Sequence, residues 1–464
     1  MKKEKKKEPS ERKPNWKEYT ATVEDIEQFL SDNILLRHNV ITGRVECRLP
    51  YVPPKFLDRP SGEAERGGDR GLNVGIYDDS CTCSDPHPPN LGGTYWQPIS
   101  DRIVNTLWRE MSKVKKVRTQ DIYQVIESDF VPEYHPFRYY LDHLPPWNGA
   151  DYILAMSVSV SVRGEVEQQY LFAQYLKKWL VGMVAGWVDP EVVNNVILVL
   201  IGEQGSYKTT WFSRLLPPEL QPYFRIKTNS SRMTKDDLLV LSEYGLVCCE
   251  ELDTMRPSEL NQLKAAVTMP AVDERRPYGR YTEHRRHVAS FCGTGNSVQF
   301  LSDPTGNRRW LPFEVESIEP PQDHPIDYTG IYSQAYALYQ QGFRYWFSRE
   351  EIQQLAVHNK HFETPRLEHE LVLLYFRRPV GKEPGEFVSV ALALQIVGAG
   401  ITQKLSSVIL GRAFVELGFE RRAYRNVRGY VVVRRSAEEM RAMRSTMAQE
   451  ASSGNTDTDD TDVF

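Results

Sequence analysis

Cysteine is scarce in this chain: six residues out of 464, scattered at Cys47, Cys81, Cys83, Cys248, Cys249 and Cys292. So few, so widely spread, exclude a disulfide framework and point to reducing, cytoplasmic surroundings. No apolar run approaches about 18 residues, which excludes a membrane-spanning helix. The basic start, MKKEKKKEPSERK, has no apolar stretch behind it, so no secretory signal is expected. No internal repeat is evident. What is present is ordinary globular composition, 41% hydrophobic and 26% charged, in a length suited to roughly two or three domains. The net charge of −5 conceals an asymmetry. Residues 366–444 are net basic, whereas 450–464 carry only acidic charge, so a nucleic-acid partner is not excluded.

The most informative stretch runs from Asn194 to Trp211, NNVILVLIGEQGSYKTTW. The β-branched run Val196–Ile201 has the length of a buried strand. A turn follows, made of Gly202, Glu203, Gln204, Gly205, Ser206 and Tyr207. Lys208, Thr209 and Thr210 then open a helix expected over Lys208–Leu216, stopped by Pro217 and Pro218. A strand, a loop of bare amides and a helix start together form a triphosphate cradle. Lys208 would reach the β- and γ-phosphate oxygens and Thr209 would ligate Mg²⁺. Tyr207 stands where the usual pattern has glycine.

Such a loop needs a carboxylate-bearing strand beside it. Leu246–Cys249 is a short apolar strand ending in Glu250 and Glu251. Glu250 is the candidate for the Mg²⁺ shell and Glu251 for polarising water; the alternative is a pair of solvated charges at a strand end. Another apolar run ends at Asn296, suited to holding the attacking water, or simply a turn residue. Arg308 and Arg309 suit a finger inserted into a neighbouring subunit's site, or a surface salt-bridge pair. Between these lies a basic, aromatic hairpin around Pro277-Tyr278-Gly279. Its Arg276, Arg280, Arg285 and Arg286 are candidate DNA contacts, a solvated basic hairpin being the alternative.

Elsewhere, residues 1–15 read as a disordered basic arm and 16–165 as a mainly helical region with a long loop at 58–94. Thr22–Leu30 reads as a helix with Thr22 or Asp25 near its cap, and His38–Leu49 as a hairpin turning at Thr42-Gly43. Cys81, Cys83 and His87 lie in the long loop, with spacing poor for zinc. Tyr170–Val188 is a strongly apolar helix leading to the phosphate-loop strand. Residues 346–436 carry a winged-helix pattern, with helices at Leu367–Tyr375, Ser389–Val397 and Thr402–Leu417. A hairpin around Asn426–Gly429 completes it. Lys404 on the third helix and Arg421, Arg422, Arg425 and Arg428 on the wing suit duplex DNA, although winged helices also bind proteins. Residues 437–464 read as a disordered acidic tail.

The ordered set GEQGSYKTT, EELD, RRPYGRY, GTGN and DPTGNRRW, preceded by HPFRYYLDHLPPWNG, resembles the virulence-associated protein E family over roughly residues 130–320. The resemblance implies an α/β fold with an AAA+ P-loop ATPase core of the superfamily 3 helicase type, expected over residues 166–345. It also implies ATP and Mg²⁺ as ligands, single- and double-stranded DNA as partners, and a homo-oligomeric ring, with a hexamer the expected size. The C-terminal segment also looks similar to a domain often fused to this family. No acidic triad of a primase is evident in the first 130 residues, so priming is not predicted for this chain and any such activity would come from another. The resulting expectation is an ATP-dependent DNA helicase or translocase replicating a phage or mobile element. The rival is a nucleotide-switched DNA-binding protein with little hydrolysis, which Tyr207 favours. A second rival, an interaction protein with a decayed loop, fits poorly with retention of Lys208, Thr209, Glu250, Glu251 and Asn296.

Overall fold

Thr22 opens the first helix by a reciprocal cap: its hydroxyl accepts the Asp25 N–H and the Asp25 carboxylate accepts the Thr22 N–H. The computed structural model describes residues 20–48, 96–228, 235–274, 281–301, 306–320, 322–364, 367–381, 383–399, 401, 405–424 and 427–453. The arm at 1–15, the long loop at 58–94 with Cys81, Cys83 and His87, and Arg276, Arg280, Lys404 and Arg425 lie outside the described residues.

Helix α1 (Val23–Asn33) leads into the hairpin β1 (Leu35–Asn39) and β2 (Arg44–Arg48), which turns at Gly43 with φ 59°. Strand β3 (Gln97–Pro98), helices α2 (Asp101–Met111) and α3 (Thr119–Ile126), and strand β4 (Glu133–Tyr134) complete this region. Its sheet runs β3-β2-β1-β4, and Leu30, Cys47, Val104 and Ile122 form the centre of its core. The region is mainly helical with one hairpin, as its sequence pattern suggested, and the short strands β3 and β4 are the addition. Strands of two residues offer no period for a sequence reading to detect.

Helices α4 (Pro136–Asp142) and α5 (Tyr152–Ser157) and the short strand β5 (Val160–Val162) precede α6 (Val166–Val188). Helix α6 is buried almost all round from Phe172 onward, as expected of a helix without a polar face. Its Trp179 and Trp187 indoles donate to the carbonyls of Phe291 and Gly245, at 3.0 and 3.2 Å, pinning the helix to the sheet.

That sheet contains β6 (Ile197–Ile201), β7 (Phe224–Lys227), β8 (Leu246–Cys249), β11 (Ser290–Gly295) and β12 (Trp310–Ile318), with α7 (Lys208–Ser213), α8 (Lys235–Glu243) and α9 (Pro257–Val267) interspersed. The hairpin β9 (Ala271–Glu274) and β10 (Glu283–Arg286) projects between α9 and β11. The order is β5-β12-β6-β11-β8-β7, all parallel except the edge strand β5. Residues 160–162 therefore belong to this sheet, ahead of the boundary expected at 166. Leu198 and Leu200 of β6 enter the core beneath α6, while Ile197, Val199 and Ile201 enter the core beneath α9. A strand covered on both faces needs no polar alternation, hence the unbroken ILVLI run. Helix α10 (Tyr328–Gln340) packs on α6, and α11 (Arg349–Asn359) closes the unit.

The C-terminal part comprises α12 (Leu367–Tyr375), β13 (Phe376–Arg377), β14 (Glu386–Ser389), α13 (Val390–Val397), α14 (Ser407–Glu416), β15 (Arg421–Tyr424), β16 (Val427–Arg434) and α15 (Ala437–Ser453). Two expectations are corrected here. Helix α14 starts after the Ser406 cap, whose hydroxyl accepts the Ile409 N–H, later than expected; the Thr402 expected to cap it lies outside the described residues. Residues 437–453 are helical, not tail: Ser436 and Glu439 exchange backbone-to-side-chain bonds at 2.7 and 3.2 Å. That S-x-x-E box was legible in the sequence.

Candidate nucleotide-binding cleft

The parallel strands end on one side of the sheet, where open α/β sheets bind their ligands. There the loop after β6, the end of β8 and the end of β11 enclose a cleft of about 420 Å³. Its walls are Gln204, Gly205, Ser206, Tyr207, Lys208, Thr209 and Thr210 on one side, and Glu250, Glu251, Thr294, Gly295 and Asn296 on the other. Residues 90 positions apart in sequence thus converge because β11 lies between β6 and β8. Gly202 lies against β12, where an added Cβ would stand 2.9 Å from the Val315 carbonyl oxygen.

Lys208 is only 7% exposed. Its ammonium donates to the carbonyls of Gly202 (2.8 Å) and Glu203 (2.5 Å) and to the Ser206 hydroxyl (3.1 Å). Burial pushes its pKa down, opposed by the nearby carboxylates of Asp253 and Glu203. The lysine therefore lies folded onto its own loop, whose carbonyls hold the charge that a phosphate would otherwise neutralise. Tyr207 has φ 60° and ψ 11°, the left-handed region that glycine enters without penalty. The residue is 41% exposed, so its departure from glycine strains the backbone without burying the side chain. Helix α7 ends at Ser213, short of the Leu216 expected, with Arg214 as its C-cap.

On the opposite wall, Glu251 also has a positive φ, 54°. The chain reverses there into a single 3-10 turn, Leu252–Thr254, closed by the Thr254 N–H and hydroxyl, which donate to the Glu251 carbonyl at 3.0 and 2.9 Å. Leu252 then packs over Gly293, and Asp253 lies over Gly295. The two glycines of GTGN are thus needed for this turn to seat on β11. Asp253 accepts the backbone N–H groups of Asn296 and Ser297, each at 3.1 Å. Sequence reasoning passed over Asp253, Thr294 and Gly295. The first stands two residues from the Glu250-Glu251 pair, but its partner is 43 residues away.

Thr209 and Glu250 supply two oxygen donors from facing walls. Magnesium takes one or two protein oxygens together with phosphate oxygens and water, so the residues fit that ion. Among the described residues no group of three or more His, Cys, Asp or Glu could hold a metal by itself.

Among the described residues, the remaining candidates do not line the cleft. Arg308 is exposed and Arg309 half-buried, on the turn Asn307–Arg309, and neither lines the cleft. Asn359 of α11 anchors that turn, donating to the carbonyls of Asn307 and Trp310 at 2.7 and 3.1 Å. Two candidate DNA contacts are corrected. Arg285 is buried, pairs with Glu243 at 2.8 Å and donates to the Ile41 carbonyl, tying β10 to the N-terminal hairpin. Arg286 donates to the Trp187 carbonyl at 2.5 Å, and its other near neighbour is the His135 Nε2 at 3.4 Å. The Arg285 side chain is buried, whereas Arg286 is half-buried with its guanidinium bonded to protein. On β15 and β16, Arg421, Arg422 and Arg428 are exposed; Arg422 pairs with Glu420 at 3.2 Å. Tyr424 pairs with Val427, which places Gly429 inside a strand and not in the turn.

Residues 141–364 match the family model described as the virulence-associated protein E-like domain, in line with the resemblance carried by the motifs. No curated protein matches the chain. Among solved structures, the apo structure of the NrS-1 C-terminal region aligns with a TM-score of 0.46 and 11% identity, covering 88% of this chain and 98% of that one. An A form of the same region aligns with a TM-score of 0.43, at the same identity and coverage. Among the described residues, no helix is long and apolar enough to cross a membrane.

Proposed function

We propose that this virulence-associated protein E-like domain is an AAA+ P-loop ATPase of the superfamily 3 helicase type, driving a DNA helicase or translocase in the replication of a phage or mobile element. The observation that carries the reading is the convergence of Lys208, Thr209, Glu250, Glu251 and Asn296 on one cleft at the ends of three neighbouring parallel strands.

Lys208 would turn from its loop carbonyls to the β- and γ-phosphates of ATP. Thr209 and Glu250 would hold Mg²⁺, which neutralises phosphate charge when bound. Asn296 would orient the attacking water and Glu251 would accept its proton as the γ-phosphate parts from the β-phosphate oxygen. Arg308 and Arg309 point to a homo-oligomeric ring, of hexameric type, in which one subunit's arginine offsets charge in its neighbour's cleft. Their position outside the chain's own cleft supports this arrangement. Residues 346–436 would act as a winged helix on duplex DNA, with Arg421, Arg422 and Arg428 on phosphates. Arg276, Arg280, Lys404 and Arg425 stay proposed DNA contacts on sequence grounds.

The test is ATP hydrolysis with and without single-stranded DNA, comparing the intact chain with Lys208→Ala. DNA-stimulated turnover that vanishes in the variant is expected. ATP binding without turnover would favour a nucleotide-switched DNA-binding protein, and absence of ATP binding would rule out both.

A further inference from the structure

We propose that Asp253 is a positioning residue that locks Asn296 to the carboxylate-bearing end of β8, so that the two halves of the cleft's far wall move as one body. The role rests on the ATPase reading of the same cleft. Asp253 is not among the cleft-lining residues, and each of its carboxylate oxygens already accepts a backbone N–H, Oδ1 from Asn296 and Oδ2 from Ser297. It therefore acts through Asn296 and not as a ligand or base of its own.

Three features of the chain converge on this contact. The left-handed Glu251 reverses the backbone so that the turn after it folds back on β11. Leu252, fully buried, fixes the turn over Gly293. Gly295 leaves room for the carboxylate: an added Cβ would stand 3.0 Å from Asp253 Oδ1 and 2.8 Å from Ile201 Cδ1. A charged acceptor with two amide donors is a strong, directional tie. Its physical consequence is that the Asn296 side chain leaves the strand at a fixed height relative to Glu250 and Glu251. Misplacement of a positioning group by about 1 Å can cost roughly 10²-fold in rate.

The test combines kinetics with amide exchange on the full chain. Asp253→Asn keeps size and one acceptor while turning an N–H donor toward the second amide; Asp253→Ala removes both acceptors. Exchange in the segment spanning 296–297 should quicken by about tenfold in Asp253→Ala, with the rest of the sheet unchanged. ATP turnover should fall by about 10²-fold in kcat, with KM little altered. Asp253→Ala combined with Asn296→Ala should be no slower than Asn296→Ala alone, because a residue that acts through another adds nothing once that other is gone. Unchanged exchange at 296–297, or kinetic losses that multiply in the double variant, would overturn the role. Failure of the intact chain to hydrolyse ATP would instead overturn the proposed function, and the exchange experiment would still decide whether Asp253 holds Asn296.

Discussion

Tyr207 and Glu251 line the same cleft, and among the described residues they are the two non-glycine positions with positive φ, at 60° and 54°. Left-handed backbone costs an L-residue roughly 1–2 kcal/mol. Strain concentrated on both walls of one site is stored where the chain must turn sharply to present Lys208 and Asp253.

Tyr207→Gly is expected to remove that strain in the loop after β6. The gain is partly offset by the extra freedom glycine has when unfolded, leaving a net stabilisation of about 1 kcal/mol. Because the ring is exposed, affinity for an ATP analogue should hold or improve. Urea unfolding and analogue titration check both, and Tyr207→Val, β-branched, should be less stable than the parent.

His135 provides an acid-sensitive contact. Burial, then the charges of Arg286 and Arg138, push its pKa down to about 4 from an ordinary value of 6.5. The folded-state value lies below the unfolded one, so the neutral ring contributes stability fully present above about pH 6.5 and lost as pH falls toward about 4. His135→Asn keeps a helix-capping side chain before α4 without a titrating ring. Thermal melts between pH 7 and pH 4, limits set by the ordinary and folded-state values, should show a steeper loss in the parent than in the variant.

Arg285→Met should behave as a stability variant and not as a DNA-binding one. It leaves Glu243 without its cation and the Ile41 carbonyl without its donor. Breaking a buried pair from one side costs roughly 3–5 kcal/mol. A large fall in melting temperature is expected. Weakened DNA affinity at unchanged stability would instead return Arg285 to the DNA-facing set.

Arg421→Ala together with Arg428→Ala should leave stability within about 0.5 kcal/mol, both side chains being exposed. Duplex DNA affinity should fall to a similar degree for unrelated sequences, and the slope of log K against log salt should shrink by about 1–2. Binding titrations at several salt concentrations read both quantities.

Much of the cleft was legible because its elements are local. The ILVLI run, the loop to Thr210 and the EE pair after LVCC each lie within a few residues, and each has a chemical reason to be contiguous. The Gly293 and Gly295 pair was visible as a pattern, but its purpose was not, since only the packed turn at Leu252–Thr254 shows what would collide with a side chain. The basic hairpin misled for a related reason. An arginine on a polar strand looks solvent-facing until distant carbonyls at Ile41 and Trp187 are found beside it.

The sequence by itself determined the strand, turn and helix start from Val196 to Thr210, the Thr22 cap, the hairpin at Gly43 and the buried character of α6, because these depend on neighbours within a turn or on composition alone. Tertiary structure decided that Asp253 ties Asn296 to the turn after β8, that Arg285 is buried and Arg286 bonded to the Trp187 carbonyl, and that Arg308 does not line its own chain's cleft. Those outcomes depend on strand order and on burial by remote segments, and contacts between residues tens to hundreds of positions apart leave no trace in local spacing.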